Sequence, residues 1–187
     1  MSQTMMQTMA KTGEIPLQTT KTAGLDFAGL VGQHQSMVFS IALHFLRDRP
    51  AAEELAQDVF LQLHHSMAEL ESADHVTFWL RRVTSHRCID HARKRKLPAI
   101  SIDEAESPEL AAEVKETDLL LTQKLRQAMG SLPEKQRLVM VLRYQEEMTP
   151  EEIGAALGMP VATVRSHVRR SLLLLREKLT RMTGGTR

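Results

Sequence analysis

The chain has 187 residues, 42% hydrophobic and 25% charged, with 24 Lys and Arg against 23 Asp and Glu. That length accommodates one large or two small globular domains, and a single cysteine excludes an intrachain disulfide framework and fits a reducing compartment. No apolar run approaches the ~20 residues needed to span a bilayer, and the N-terminus lacks the continuous apolar core of a signal peptide, so the expected location is cytoplasmic.

Helical periodicity dominates, and nothing alternates long enough for a strand. Residues 1–24 read as a disordered tail. A first helix follows Asp26, with Phe27, Leu30, Val31, His34, Val38, Ile41 and Phe45 on one side. A second begins near Pro50 and turns Leu55, Val59, Phe60, Leu63 and Met67 inward. On its opposite face Glu54, Gln57, Asp58 and His65 surround Leu61. A lone exposed leucine is ordinary, yet an apolar residue ringed by polar groups is also how a small interface presents an anchor. Leu70 to Asp74 make a short polar loop, a third helix runs from about His75 to Lys96, and Pro98 ends it.

Charge is segregated along the chain. Arg81, Arg82, Arg87, Arg93, Lys94, Arg95 and Lys96 face Asp90 alone, whereas the following segment, residues 97–118, is rich in Asp and Glu with only Lys115 against them. From Val161 onward Arg165, Arg169, Arg170, Arg176, Lys178, Arg181 and Arg187 face only Glu177. The near-neutral total is therefore a cancellation, and each cationic block makes its own field. The acidic stretch reads as a flexible linker between domains at 25–96 and 119–182, with a short tail at 183–187.

Beyond the linker a helix from Leu119 to Met129 is stopped by Gly130. "SLPE" offers a capping box with Ser131 as N-cap, and "TPEE" repeats the device with Thr149, Pro150 and Glu152. The second helix ends at Leu157-Gly158, and another starts near Pro160. Helix, short glycine-containing turn, helix is the helix-turn-helix unit of DNA binding. In "VATVRSHVRRSLLLLREKL" the residues Val161, Val164, Val168, Leu172, Leu175 and Leu179 define an inner face. At ~100° per residue Ser166 and Arg170 lie opposite it, with Arg165 and Arg169 on one flank and His167 on the other. A solvated amphipathic helix has the same pattern; the capping signals and the helix-turn-helix spacing favour a major groove, where arginine donates twice to guanine.

His86, Cys88 and His91 fall short of a metal site, because Cys88 and His91 share a helix side that His86 does not. Cys88 would serve as a redox sensor only with a lowered thiol pKa, for which Arg87 is the candidate cause. No nucleophile elbow, phosphate loop or paired carboxylate is present. No catalytic residues, cofactor or metal are expected. The fold class is all-α, two small helical domains joined by an acidic linker, the C-terminal one containing the helix-turn-helix.

The string "LPEKQRLVMVLRYQEEMTPEEIGAALGMPVATVRSHVRRSLLLLREKL" resembles region 4 of extracytoplasmic-function (ECF) sigma factors, the two-domain initiation subunits of bacterial RNA polymerase. "VFSIALHFLRDRPAAEELAQDVFLQLHHSM" resembles their regions 2.1 and 2.2, and "FWLRRVTSHRCIDHARKRK" their regions 2.3 and 2.4. The resemblance covers the chain from about Leu25 to Thr180. It implies that Arg165, Ser166, His167, Arg169 and Arg170 read the promoter −35 element as duplex. It implies that Leu70, Asp74, Trp79, Arg82, His86, Arg93, Lys94, Arg95 and Lys96 open and hold the −10 element. Glu54, Gln57, Asp58 and Leu61 would dock on the clamp helices of the largest subunit of core RNA polymerase. The linker would pass the RNA-exit region, or serve simply as a solvated tether. An anti-sigma factor is a further implied partner. Ala162, His167, His86 and Leu70 depart from the family pattern, which bears on the promoter sequence recognised. The alternative class is a ligand-responsive helix-turn-helix regulator with a sensor domain, which would have no need of the basic helix Arg81 to Lys96.

Overall fold

A computed structural model describes residues 26–96 and 116–182, with the side chains of 96 and 116–119 outside the description. The expectations placed on the tails and on residues 97–115 lie outside the described residues. Within them the chain forms α1 (Phe27–Leu46), α2 (Arg49–Ser66), a 3-10 turn (Met67–Glu69), α3 (Ala73–Lys96), α4 (Glu116–Gly130), α5 (Glu134–Tyr144), α6 (Pro150–Leu157) and α7 (Val161–Met182).

Local chemistry sets the first boundaries. The Asp26 carboxylate accepts from the Ala28 and Gly29 N–H groups and starts α1. Arg47, left-handed at φ 61°, ends it and donates its N–H to the Leu43 carbonyl at 2.8 Å. Asp48 follows at once as the N-cap of α2, accepting from the Ala51 N–H at 3.0 Å, with Pro50 in the first turn. One two-residue joint therefore closes the α1–α2 hairpin. Leu30, His34, Val38, Ile41 and Phe45 are buried along α1, and Ala52, Leu55, Val59 and Leu63 along α2. These stripes meet Val76, Leu80, Thr84 and Cys88 of α3.

Helix α3 starts two residues before the expected His75, and α4 three before the expected Leu119. The expected polar loop is short, and Leu70 is not part of its surface: it is 3% exposed and packs in the core.

The "SLPE" capping box does not form. Helix α5 begins at Glu134 with extended Pro133 as N-cap and no side-chain cap. Ser131 lies in the turn that closes α4, and its hydroxyl donates to the Ala128 carbonyl at 2.6 Å instead. "TPEE" does form one: Thr149 Oγ1 accepts from the Glu152 N–H at 3.2 Å, and the Thr149 N–H donates to Glu152 Oε2 at 2.7 Å. Gly158 ends α6 in the left-handed conformation. Gly154 is packed so closely against the turn that a Cβ would lie 2.9 Å from the Met159 carbonyl oxygen. That contact sets the angle at which α7 leaves.

Helix α5 has five consecutive buried residues, Leu138 to Leu142. It is covered by α6 and α7 on its own side of the chain and by α1 and α3 from the other. The two helical groups thus share one apolar core, in which Phe45 and Cys88 belong to the same cluster as Leu138 and Ile153. Burying each such large side chain contributes about 1.5–3 kcal/mol.

Candidate nucleic-acid interface

Helix α7 presents its predicted polar face with one change of register. Val164, Ser171 and Leu175 are buried and Val168 half-buried, whereas Leu172, expected inside, is 45% exposed. Four-three-four spacing after Val164 selects Ser171 for the core and turns Leu172 outward. Arg165, Arg169 and Arg170 are exposed, and Ser166 is half-buried. His167 departs from the expected reading position. It is half-buried with Nδ1 enclosed and unpartnered, and burial, then Arg170 and Lys135, lower its pKa. It faces the scaffold as a neutral ring more than it faces solvent.

Arg165 does not stand alone. Its Nη2 lies 2.8 Å from Glu151 Oε1 in the first turn of α6. Arg165, Arg169, Arg143 and Arg176 together line a cleft of about 470 Å³ floored by Val168, Leu172 and Leu173. Arg143 and Arg176 were not among the sequence-derived site residues. Arg176 follows Arg169 by two helical turns, so its spacing carried the signal; Arg143, held by a 3.0 Å bond to the Met148 carbonyl, reaches the cleft only through the fold. Four guanidinium groups thus line one cleft, a cationic surface whose charge suits a polyanion.

The N-terminal cationic surface follows one edge of α3. Trp79 is half-buried, and Arg82, His86, Arg93, Lys94 and Arg95 are exposed. Trp79, Arg82, His86 and Arg93 recur at helical spacing on the edge opposite Leu80, Thr84 and Cys88. Asp74 is exposed in the first turn. Arg93 lies 4.0 Å from Asp90, and Arg95 lies 3.8 Å from Asp48 at the head of α2. The side chain of Lys96 is outside the described residues. Leu70 is removed from this surface, since a core side chain cannot line a pocket for a flipped base.

A third surface lies across the α1–α2 hairpin. Glu54, Gln57, Asp58 and Leu61 are all exposed, Leu61 to 61%. Leu61 is not isolated: with Phe27, Val31, Phe39, Ala56 and Phe60 it lines an apolar groove of about 730 Å³. Val31 and Phe60, expected inward, are half-buried and face this groove.

Cys88 is fully buried, and burial pushes its thiol up to about 12, against the lowering effect of Arg137. That opposes the thiolate a redox sensor requires. Among the described residues no group of His, Cys, Asp and Glu is placed to hold a metal ion, and no helix is long and apolar enough to cross a membrane.

Comparison with known proteins gives a consistent set. Residues 30–97 match the family described as Sigma-70 region 2, and residues 122–175 that described as Sigma-70, region 4. The chain is 33% identical over 156 residues to the RNA polymerase sigma-E factor of Streptomyces coelicolor, covering 83% of this chain and 86% of the relative. It is 28% identical over 166 residues to the ECF RNA polymerase sigma factor SigW of Bacillus subtilis, covering 82% and 88%. Its fold is similar to that of the sigma factor RpoE from Bartonella quintana, crystallised with the anti-sigma factor NepR, at a TM-score of 0.67 and 20% identity over 83% of this chain and 97% of that one. It is also similar to CnrH in complex with the cytosolic domain of CnrY, at a TM-score of 0.57 and 21% identity over 86% and 89%.

Proposed function

Since the chain belongs to the ECF sigma factors of bacterial RNA polymerase, we propose that its three surfaces divide the work of promoter-specific initiation. The α7 face, with Arg165, Ser166, Arg169 and Arg170, reads −35 duplex in the major groove, while Arg143 and Arg176 hold phosphates beside it. Along α3, Asp74, Trp79, Arg82, His86 and the basic end Arg93 to Lys96 engage the −10 element. The α1–α2 groove, with Leu61 at its edge and Glu54, Gln57 and Asp58 around it, docks on the clamp of core polymerase.

The observation that carries this reading is the coexistence of two separate cationic helix faces with an apolar groove that is edged by Leu61, Gln57 and the Arg49–Glu53 ion pair. A sensor domain requires no cationic reading helix, and residues 30–97 match sigma region 2. The protein acts by binding, with the bond-making chemistry left to the polymerase, and works in the cytoplasm beside it. Domains at 25–96 and 119–182, joined by the acidic segment, are the units that divide the two promoter elements. An anti-sigma factor covering one or more of these surfaces is the expected regulator, as the RpoE–NepR complex illustrates for a protein of this fold.

The test is run-off transcription from a genomic library with purified core polymerase. A shared bipartite element upstream of the start sites is the expected result. Transcripts that are absent, or that lack any common element, would overturn the reading.

A further inference from the structure

The α1–α2 groove is fixed at both ends by contacts between its helices. At one end the Phe27 ring of α1 meets the His64 ring of α2 edge-on, with centroids 5.1 Å apart. At the other, Arg49 of α2 lays its guanidinium over the Phe39 ring of α1, Cζ 5.8 Å from the centroid, and Glu53 pairs with it at 2.8 Å. Between these ends Val31 and Phe60 are half-buried and Leu61 is 61% exposed, an apolar floor that none of the described residues covers. Phe27 and Phe39 are 12 residues apart on α1, a run of ~18 Å at ~1.5 Å per residue.

Residues 1–25 join the described chain at Asp26, one position before Phe27, and so enter the fold at the mouth of the groove. Their composition suits it. Met5, Met6, Met9, Ile15 and Leu17 supply apolar side chains, and methionine in particular adapts to an irregular apolar surface. Lys11 and Lys21 stand against Glu14 alone, whereas α2 carries Glu53, Glu54 and Asp58 against Arg49, so the two carry opposite net charge. The 8 residues 18–25 can cover up to ~26 Å at ~3.3 Å each, enough for Ile15 and Leu17 to meet any part of the floor. The segment 97–115 has the wrong sign for this face, with Asp103, Glu104, Glu106, Glu109 and Glu113 against Lys115.

We propose that residues 5–17 fold back onto the α1–α2 groove and occupy it until core polymerase displaces them, an autoinhibitory contact within one chain. The competition rests on the reading of this groove as the polymerase-docking surface; the contact itself does not. A short tether holds such a segment at a local concentration on the order of 1 mM. A contact with an intermolecular Kd of about 0.25 mM would then leave about one chain in five open and weaken polymerase binding about five-fold.

The test uses the full chain with a nitroxide on Thr12→Cys; Cys88, fully buried with its thiol pushed up to about 12, does not react. The amide resonances of Phe39, Arg49 and Glu53, at the far end of the groove, should lose at least half of their intensity. A second version adds Met5→Ser, Met6→Ser, Met9→Ser, Ile15→Ser and Leu17→Ser. There the loss should disappear while the amide shifts of core residues Val38 and Val59 stay in place. Equal broadening in both versions, or broadening confined to the residues next to Asp26, overturns the contact. Broadening of isotope-labelled chain by added nitroxide chain assigns the groove to a second copy, and broadening from a nitroxide on Ser107→Cys but not on Thr12→Cys assigns it to residues 97–115; either result overturns the proposal. Affinity for core polymerase is then compared without labels, and the serine version should bind about five-fold tighter than the parent. Unchanged affinity overturns the competition where Leu61→Ala weakens binding. If Leu61→Ala also leaves affinity unchanged while the far-end broadening is present, the intrachain contact stands and the polymerase-docking reading of the groove fails.

Discussion

Arg165 of the reading helix is paired with Glu151 in the first turn of the preceding helix, Nη2 to Oε1 at 2.8 Å, and both side chains are largely exposed. An exposed pair of this kind contributes about 0–1 kcal/mol to stability, so its importance is positional. Glu151 fixes the position of the Arg165 guanidinium and places a negative charge at the edge of the cationic cleft. Glu151→Gln should leave Tm within about 2 °C of the parent, since a loss under ~0.5 kcal/mol shifts a chain of this size little. Duplex affinity should rise, and the preference at one −35 base pair should change. Arg165→Ala should cost about 1–3 kcal/mol and relax the same position. Promoter selections with both variants check this; independent positions would break the link between the two side chains.

Arg176 separates positioning from reading. It lines the cleft beyond Arg169, and the function proposed above gives it a phosphate rather than a base. Arg176→Ala should weaken binding to all sequences alike and reduce the slope of log affinity against log salt by about 0.9. Salt titrations on a matched and a scrambled duplex measure both quantities. A loss confined to the matched duplex would make Arg176 a base reader.

Much of this arrangement was legible because local rules agree with the fold. Asp26, the Thr149–Glu152 box and Gly158 act within a few residues, and the outward set Arg165, Arg169 and Arg170 follows from helical period alone. The failures are tertiary. Ser131 could accept from the first N–H groups of α5 or donate to the last carbonyls of α4, and the end of α4 took its hydroxyl. Leu70 looks like loop until the core closes over it, and Leu172 fits the stripe by period yet loses its place to Ser171. Nothing in the period of α1 or α5 revealed that Phe45 and Arg137 meet, because their contact joins segments separated by the linker.

The α1–α2 groove makes a prediction that folding studies alone cannot satisfy. Leu61 is 61% exposed, so Leu61→Ala should barely change the unfolding midpoint. Its apolar area, if covered by polymerase, should be worth about 1–3 kcal/mol of binding. Asp58→Lys should weaken association more at low salt than at high salt, where screening already blunts attraction to a basic partner. Titrations of labelled chain with core polymerase at two ionic strengths measure these effects. Unfolding of Leu61→Ala with unchanged affinity per folded molecule would assign the residue to the core.

His34 makes the stability of the protein depend on acidity in a definite direction. It is 7% exposed on α1, its Nε2 is buried without a partner, and burial, then the Arg81 charge, lowers its pKa from 6.5. The unfolded chain, where the ring regains its ordinary pKa, therefore binds the proton more readily than the folded one. Its stabilising contribution is complete above 6.5 and is lost as pH falls from there through the folded-state value. Glu146 has the opposite sign, since burial, against the Arg81 charge, raises its carboxyl pKa from 4.5. Between pH 7.5 and 5.5 His34 acts in the same direction as His44 and His167, whose pKa values burial also lowers, and Tm should fall. His34→Leu removes the titrating group while retaining apolar volume between α1 and α3, so its Tm should fall less over the same interval. Calorimetry of both proteins at half-unit steps provides the comparison. Parallel curves would mean that His34 keeps its proton equilibrium on folding and that the acid sensitivity arises elsewhere.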